Sequence, residues 1–197
     1  MRVSVSFWLA LAVAALISPL QVVVSVLLAA VLHEGGHLLL LWLLRVPVEG
    51  LRLSALGAEI FARGAQRLSY GRELLVTLAG PAANLFAAVI AAALSLHTRW
   101  EGGYLFAGAN IILGAYNLLP ILPLDGGRIL YLVTAFFFGP MVGDAVAAVT
   151  GTVCALSLLA LGLSFVSGSG MFFLLAACSL LCGALPQLRL AKNAVKV

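Results

Sequence analysis

Charged side chains are scarce in this sequence of 197 residues: only 9% are Asp, Glu, Lys or Arg, while 63% are hydrophobic. A soluble domain of this size lacks the interior volume to hide so much apolar surface. The composition therefore excludes an ordinary soluble globular protein. We expect an integral membrane protein whose surroundings are a lipid bilayer, and we expect no nucleic-acid partner.

Cysteine is also rare, and its odd count argues against a framework of paired disulfides. Cys154, Cys178 and Cys182 all lie in apolar runs, which favours simple packing. Cys178 and Cys182 are one helical turn apart and could contact a metal ion. No histidine or carboxylate lies near them in the sequence, so we favour packing over metal binding.

Six apolar runs are candidates for membrane-spanning helices, so the predicted fold class is an all-α membrane protein with six transmembrane helices. A spanning helix needs about 20 residues, and the first run is therefore marginal. The chain between Ile129 and Phe138 is apolar but short, which predicts a partial or interfacial helix. The six runs are roughly residues 3–18, 20–44, 74–96, 104–122, 141–165 and 171–185.

The basic residues predict the orientation of these spans, because cytoplasmic loops are enriched in Lys and Arg. With six spans and a cytoplasmic N-terminus, Arg99 alone falls outside. We therefore predict a multi-pass protein of the cell membrane with both termini in the cytoplasm. The predicted inside set is Arg2, Arg45, Arg52, Arg63, Arg67, Arg72, Arg128, Arg189, Lys192 and Lys196. A signal peptide cut after Ala12-Val13-Ala14 is an alternative for the N-terminus, and it leaves the later spans unchanged.

One long stretch, from Val46 to Arg72, is more polar than the rest. Its apolar and polar residues alternate around Leu51-Arg52-Leu53-Ser54, and Gly57 and Gly64 interrupt it. A period near two is typical of strands. We expect a short β-hairpin-like, membrane-associated stretch between the second and third spans.

The second apolar run contains His33-Glu34-Gly35-Gly36-His37. On a helix, the i and i+4 histidines share a face and can bind one ion, and the glutamate beside them can act on a water bound to it. Composition alone predicts roughly 0.002 chance matches to this pattern. Ionisable groups at membrane depth are costly and usually functional. We therefore predict a zinc site with His33 and His37 as ligands and Glu34 as the catalytic residue.

A catalytic zinc needs a third protein ligand and an open position for water. His97 is a poor candidate because it falls at the outer end of the third span. Asp125 is a better one, because it follows Pro120 and Pro123 and precedes two glycines, where the helix is broken. An ordinary turn is the alternative, but beside a histidine pair that lacks a partner we favour Asp125 as the metal ligand.

Two asparagines in apolar runs are further candidates. Asn84 belongs to Gly80-Pro81-Ala82-Ala83-Asn84, whose small residues permit close helix packing, and Asn117 begins the run that leads to Asp125. Either amide could orient the site or donate a hydrogen bond to a developing oxyanion. Packing between helices remains the alternative for both.

The chain resembles the site-2 proteases, a family of intramembrane zinc metalloproteases, and most of all their stage IV sporulation protein FB branch. Three motifs over residues 20–130 carry the resemblance: His-Glu-x-x-His, Gly-Pro-x-x-Asn, and Asn-x-x-Pro-x-x-Pro-x-Asp-Gly-Gly. It implies a zinc ion held by His33, His37 and Asp125, with Glu34 as the catalytic glutamate. We also expect one protease domain over residues 1–197, with its core at roughly 20–130 and, in contrast to many members of the family, with no CBS or PDZ domain.

The implied activity is a zinc metalloendopeptidase that cuts a membrane-associated or transmembrane protein near the cytoplasmic face. A sigma-factor precursor and an anti-sigma factor are the implied substrates, an inhibitory membrane partner is a further expectation, and the oligomeric state stays open. A zinc carrier is a rival interpretation, but the outer halves of the helices are almost free of ionisable groups. An inactive relative is another, although metal binding alone does not require Glu34.

Overall fold

The computed structural model describes residues 2–54, 57–63 and 68–164. The described chain divides into two compact units, with the boundary between Tyr116 and Asn117. The single domain predicted over residues 1–197 stays a prediction. In chain order the elements are β1 (Arg2–Val3), α1 (Val5–Ile17), α2 (Leu20–Leu43), β2 (Val48–Ser54), β3 (Gly57–Ala62), α3 (Tyr70–Thr98), α4 (Glu101–Asn117), α5 (Asp125–Phe138) and α6 (Pro140–Ser164).

Three of the described helices, α2, α3 and α6, are long and apolar enough to cross a membrane. The helix α1 is also apolar but has only 13 residues, and α4 has 17. A membrane protein is therefore confirmed, whereas six spans stay a prediction. The predicted sixth span, residues 171–185, lies outside the described residues.

The predicted hairpin is present as β2 and β3, which pair antiparallel with Leu51 opposite Ile60. The alternation of apolar and polar residues in the sequence identified it, because that period is typical of strands. The strand β1 was not predicted, since Val3 had been assigned to the first apolar run. Val3 instead pairs with Leu53, in parallel, and completes a three-stranded sheet of order β1-β2-β3.

In the first unit, small residues let α2 and α3 pack closely. A Cβ atom added at Gly36 would overlap the Ala79 carbonyl group and would lie 3.0 Å from the Ala83 Cβ. Further along α3, Ala88 and Ala91 form a buried cluster with Ala107 of α4. Small side chains at helix interfaces are the usual device for close packing in membranes, where helices gain little hydrophobic energy from one another.

In the second unit, α5 packs against α6. Ala135 and Leu132 of α5 are buried, as are Ala147 and Ala155 of α6. The helix α5 begins at Asp125 rather than near Ile129, where the sequence analysis placed it. The first turn of α5 is Asp125-Gly126-Gly127-Arg128, which contains no large apolar residue. Hydrophobic periodicity therefore does not predict that this turn is helical.

Candidate metal centre

The two histidines of α2 lie on its buried face. His33 is 4% exposed and His37 is 8% exposed, although both are surrounded by apolar sequence. Their rings meet edge to face, with centroids 4.9 Å apart. The helical period brings residues four apart onto one face, so the sequence spacing alone accounts for this proximity.

An oxygen acceptor on α3 holds each imidazole at its Nδ1 atom. His33 Nδ1 donates to Asn84 Oδ1 at 2.6 Å, and His37 Nδ1 donates to the Val76 carbonyl at 2.8 Å. Carbonyl oxygens accept but do not donate, so each neutral ring carries its proton on Nδ1. Both Nε2 atoms therefore present a lone pair.

These two Nε2 atoms are 3.2 Å apart. Two lone pairs at that distance repel each other unless a cation lies between them. Nitrogens that bind one tetrahedral zinc at about 2.0–2.1 Å are themselves separated by about 3.3 Å. The fixed tautomers and the spacing of the pair thus fit a shared metal ion of this kind.

Gly80 of α3 makes the space that the two rings occupy. A Cβ atom at this position would lie 2.6 Å from His37 Cε1 and 2.9 Å from His33 Cε1, well inside van der Waals contact. The sequence alone predicts only that this glycine permits close helix packing. Its place directly before the Pro-x-x-Asn segment of α3 gives no hint that two imidazoles lie against it.

Asn84 is completely buried and its whole amide is engaged. Besides accepting from His33, it donates through Nδ2 to the Ala29 carbonyl at 2.9 Å and to Asn110 Oδ1 at 2.8 Å. Both amide hydrogens are used, so none is left for an oxyanion. The geometry favours positioning of His33 over the oxyanion role. Asn110 was not among the residues that sequence analysis selected, because an isolated amide in an apolar run gives no motif.

Glu34 lies between the two histidines on α2 and is half-buried. As the residue that directly follows His33, it belongs to the same turn of the helix. Its carboxylate is therefore fixed to the element that carries both imidazoles.

The remaining predicted ligand, Asp125, belongs to the second unit, where it is half-buried and opens α5. A Cβ atom at Gly126 would overlap the Leu118 carbonyl, and one at Gly127 would lie 2.5 Å from the Ile121 carbonyl carbon. The two glycines therefore let the first turn of α5 approach the preceding loop closely and fix where Asp125 stands in it. Asn117, also half-buried, is the last residue of α4.

The other residues considered are not part of this arrangement. His97 lies in the last turn of α3 and is exposed, as the sequence suggested. Cys154 is a half-buried free thiol on α6. Cys178 and Cys182 lie outside the described residues.

Comparison with known proteins gives a consistent family. The model for peptidase family M50 matches residues 98–161. The chain is 35% identical over 161 residues to the putative zinc metalloprotease Rip3 of Mycobacterium tuberculosis, covering 72% of this chain and 39% of the relative. It is 30% identical over 132 residues to stage IV sporulation protein FB of Bacillus subtilis, covering 64% and 44%. This chain thus spans about two fifths of the length of the curated relatives it matches.

The fold has a solved counterpart as well. The site-2 protease from Methanocaldococcus jannaschii superposes with a TM-score of 0.72 at 23% identity, covering 94% of this chain and 88% of that one. The fold and the histidine pair thus define a helical membrane protein with a candidate metal centre on its second helix. Over part of its length the chain is similar to peptidase family M50 and to relatives named as zinc metalloproteases, and its fold is that of a site-2 protease.

Proposed function

We propose that this protein is a zinc-dependent intramembrane endopeptidase. The observation that carries the proposal is the pair of Nε2 atoms 3.2 Å apart, with Glu34 on the same helix turn. A helix that binds a metal ion through two imidazoles and carries a glutamate directly after the first is the arrangement of zinc peptidases. The similarity to two relatives named as zinc metalloproteases agrees with this assignment.

His33, His37 and Asp125 are the proposed zinc ligands. A catalytic zinc is commonly bound by three protein ligands, two imidazoles and one carboxylate among the known sets, with one position left open for water. Asn84 and the Val76 carbonyl keep the Nδ1 protons in place, which leaves Nε2 of each histidine to bind the metal ion.

When bound, zinc supplies polarisation of a water molecule and of the peptide carbonyl. Glu34 would accept the proton of the attacking water and would then deliver it to the leaving amine nitrogen. Asn117 is the proposed donor to the developing oxyanion, since both amide hydrogens of Asn84 are already engaged.

A peptide bond inside a helix is shielded by its neighbours, so the substrate must be extended where it is cut. We propose that the sheet assists by pairing with the substrate backbone. The strand β3 pairs only with β2 among the described residues, which leaves one of its edges available for β-augmentation.

The proposed substrates are membrane-associated or transmembrane proteins cut near the cytoplasmic face. A sigma-factor precursor is favoured by the similarity to stage IV sporulation protein FB, and an anti-sigma factor is the alternative. The proposed topology is multi-pass with both termini in the cytoplasm. In this topology every basic residue except Arg99 lies on the cytoplasmic side, where Lys and Arg are enriched. An inhibitory membrane partner is proposed as the regulator.

Purified wild-type protein and Glu34→Gln, each reconstituted with a single-span test substrate, provide the test. We expect both proteins to bind zinc, and Glu34→Gln to lose cleavage by at least about 10²-fold. Cleavage at the wild-type rate by Glu34→Gln would remove Glu34 as the base. Zinc-loaded wild-type protein that cuts no substrate would favour a carrier or an inactive relative instead. Expression of Glu34→Gln in the native host should also trap uncut substrates.

A further inference from the structure

We propose that Asn110 is a positioning residue for the metal centre, acting on His33 through the amide of Asn84. The inference rests on the proposed zinc site. It concerns a hydrogen-bonded chain that links α4 to α3 and α3 to α2. No ionisable group takes part in it except the imidazole at its end.

The first link of this chain fixes the orientation of Asn110. Its side chain is completely buried on α4, and its Nδ2 donates to the Phe106 carbonyl of the same helix at 2.9 Å. A carbonyl oxygen can only accept, so the amide nitrogen must face Phe106. The Oδ1 atom of Asn110 is thereby turned toward α3.

The second link fixes the orientation of Asn84. An asparagine amide has nearly the same shape when its oxygen and nitrogen are exchanged, so packing alone does not decide which atom faces His33. Asn110 Oδ1 accepts from Asn84 Nδ2 at 2.8 Å, and the Ala29 carbonyl accepts the other hydrogen. Two acceptors on one side place Nδ2 there, and Oδ1 then faces His33.

The third link decides the tautomer of the metal-binding ring. Asn84 Oδ1 accepts from His33 Nδ1, so the lone pair of His33 stays on Nε2, where it meets Nε2 of His37. With the Asn84 amide reversed, its NH₂ group would face Nδ1 and favour the opposite tautomer. The proton would then occupy the nitrogen that is needed for the metal ion.

Replacing Asn110 with leucine removes the acceptor and keeps a buried side chain of similar size. One of the two acceptors that orient Asn84 is lost, while the direct contact between Asn84 and His33 is not touched by the substitution. Changes in the hydrogen-bond partners of metal ligands weaken metal binding by about 10–100-fold. Because Asn110 acts one residue further away, we expect the lower end of that range, about tenfold.

Imidazole nitrogen NMR on ¹⁵N-histidine-labelled protein provides the test, since the chain has only three histidines. In metal-free wild-type protein, His33 and His37 should both be protonated at Nδ1. In Asn110→Leu, His33 should shift toward a mixture of tautomers, while His37, whose Nδ1 donates to a backbone carbonyl, should not change. Zinc affinity, measured by chelator competition, should fall about tenfold.

Ser95→Ala is the matched control. Ser95 is also completely buried, but its hydroxyl donates only to the Ala91 carbonyl of its own helix. This variant should leave the tautomers and the zinc affinity at their wild-type values. An equal loss of affinity in Ser95→Ala would mean that general destabilisation, not positioning, explains the effect, and would overturn the proposal.

Two further results would also overturn it: a wild-type His33 protonated at Nε2, or an Asn110→Leu protein with an unchanged His33 tautomer and zinc affinity within twofold of wild type. If Asn110→Leu does not fold, Asn110→Ala removes the same acceptor and is judged by the same criteria. The tautomers are read without metal, so they test the role of Asn110 even if the wild-type protein fails to bind zinc and the proposed function fails.

Discussion

His33 Nε2 and His37 Nε2 face each other at 3.2 Å, while the Nδ1 atom of each ring points to an oxygen acceptor on another helix. Their protons are held on the far side of each ring by Asn84 and by the Val76 carbonyl, both on α3. The motif on α2 therefore supplies the spacing of the two ligands, and α3 supplies their protonation state. A metal centre built this way should be sensitive to small changes on α3 that do not touch the ligands' own helix.

Gly80→Ala is the first such change. The added methyl group would overlap both imidazoles, so the rings must move apart or α3 must shift. We expect zinc affinity to fall by at least about tenfold and cleavage to fall with it. Zinc content by mass spectrometry and chelator competition would measure the loss.

The matched control for Gly80→Ala is Gly108→Ala, at a helical glycine whose added Cβ would meet nothing within 4 Å. It should keep wild-type zinc binding. If Gly80→Ala also binds zinc as the wild type does, the two rings are not confined by this glycine and the assigned crowding is wrong.

Neighbouring glycines of α2 should differ in their effect on stability. A methyl group at Gly36 would overlap the Ala79 carbonyl and force α2 away from α3, which should cost about 1–3 kcal/mol. One at Gly35 meets nothing within 4 Å, so Gly35→Ala should be neutral or stabilising by up to about 1 kcal/mol. Thermal unfolding in detergent would compare the pair, and equal midpoints would argue against close α2–α3 packing at Gly36.

Asp125→Asn should weaken zinc binding, because an amide is a poorer ligand for zinc than a carboxylate. We expect a loss of at least about tenfold in affinity, read by chelator competition. Asp144→Asn is the control, since Asp144 is an exposed carboxylate on α6. Unchanged zinc stoichiometry and activity in Asp125→Asn would remove Asp125 from the ligand set.

Proline in the hairpin should separate substrate binding from metal binding. Ile60→Pro removes a backbone donor from β3 and disturbs the strand, and proline at Leu51 should do the same in β2. We expect several-fold slower cleavage with unchanged zinc content, while Ile60→Val keeps both. Equal cleavage rates for Ile60→Pro and the wild type would exclude the hairpin from substrate binding.

How well the sequence predicted each element depended on how local its signal was. The hairpin was identified because strand alternation repeats over several residues of β2 and β3. The strand β1 was missed because two residues show no period, and only pairing with Arg52 and Leu53, far along the chain, makes it a strand. The predicted start of α5, Ile129, is later than the observed start, Asp125, because the residues Asp125-Gly126-Gly127 are typical of a turn.

The same distinction separates the parts of the site. The two histidines and Glu34 share one helix, so their spacing in the sequence is enough to bring them together. The amide of Asn84 was left open between positioning, an oxyanion role and packing, because its function depends on atoms of three different helices. Asn110 and the steric role of Gly80 gave no signal at all.

By itself, the sequence determined that the chain belongs in a lipid bilayer and that α2 carries two histidines on one face, spaced as metal ligands would be. Both follow from composition and from a period of four residues, which are properties of neighbouring positions. Only the tertiary structure decided which nitrogen of each imidazole keeps its proton, because that depends on acceptors contributed by α3 and on an amide whose own direction is set from α4. Hydrogen bonds between distant segments produce no periodic pattern in a single sequence. The tautomers that they select can therefore be assigned only when the packing of the helices is known.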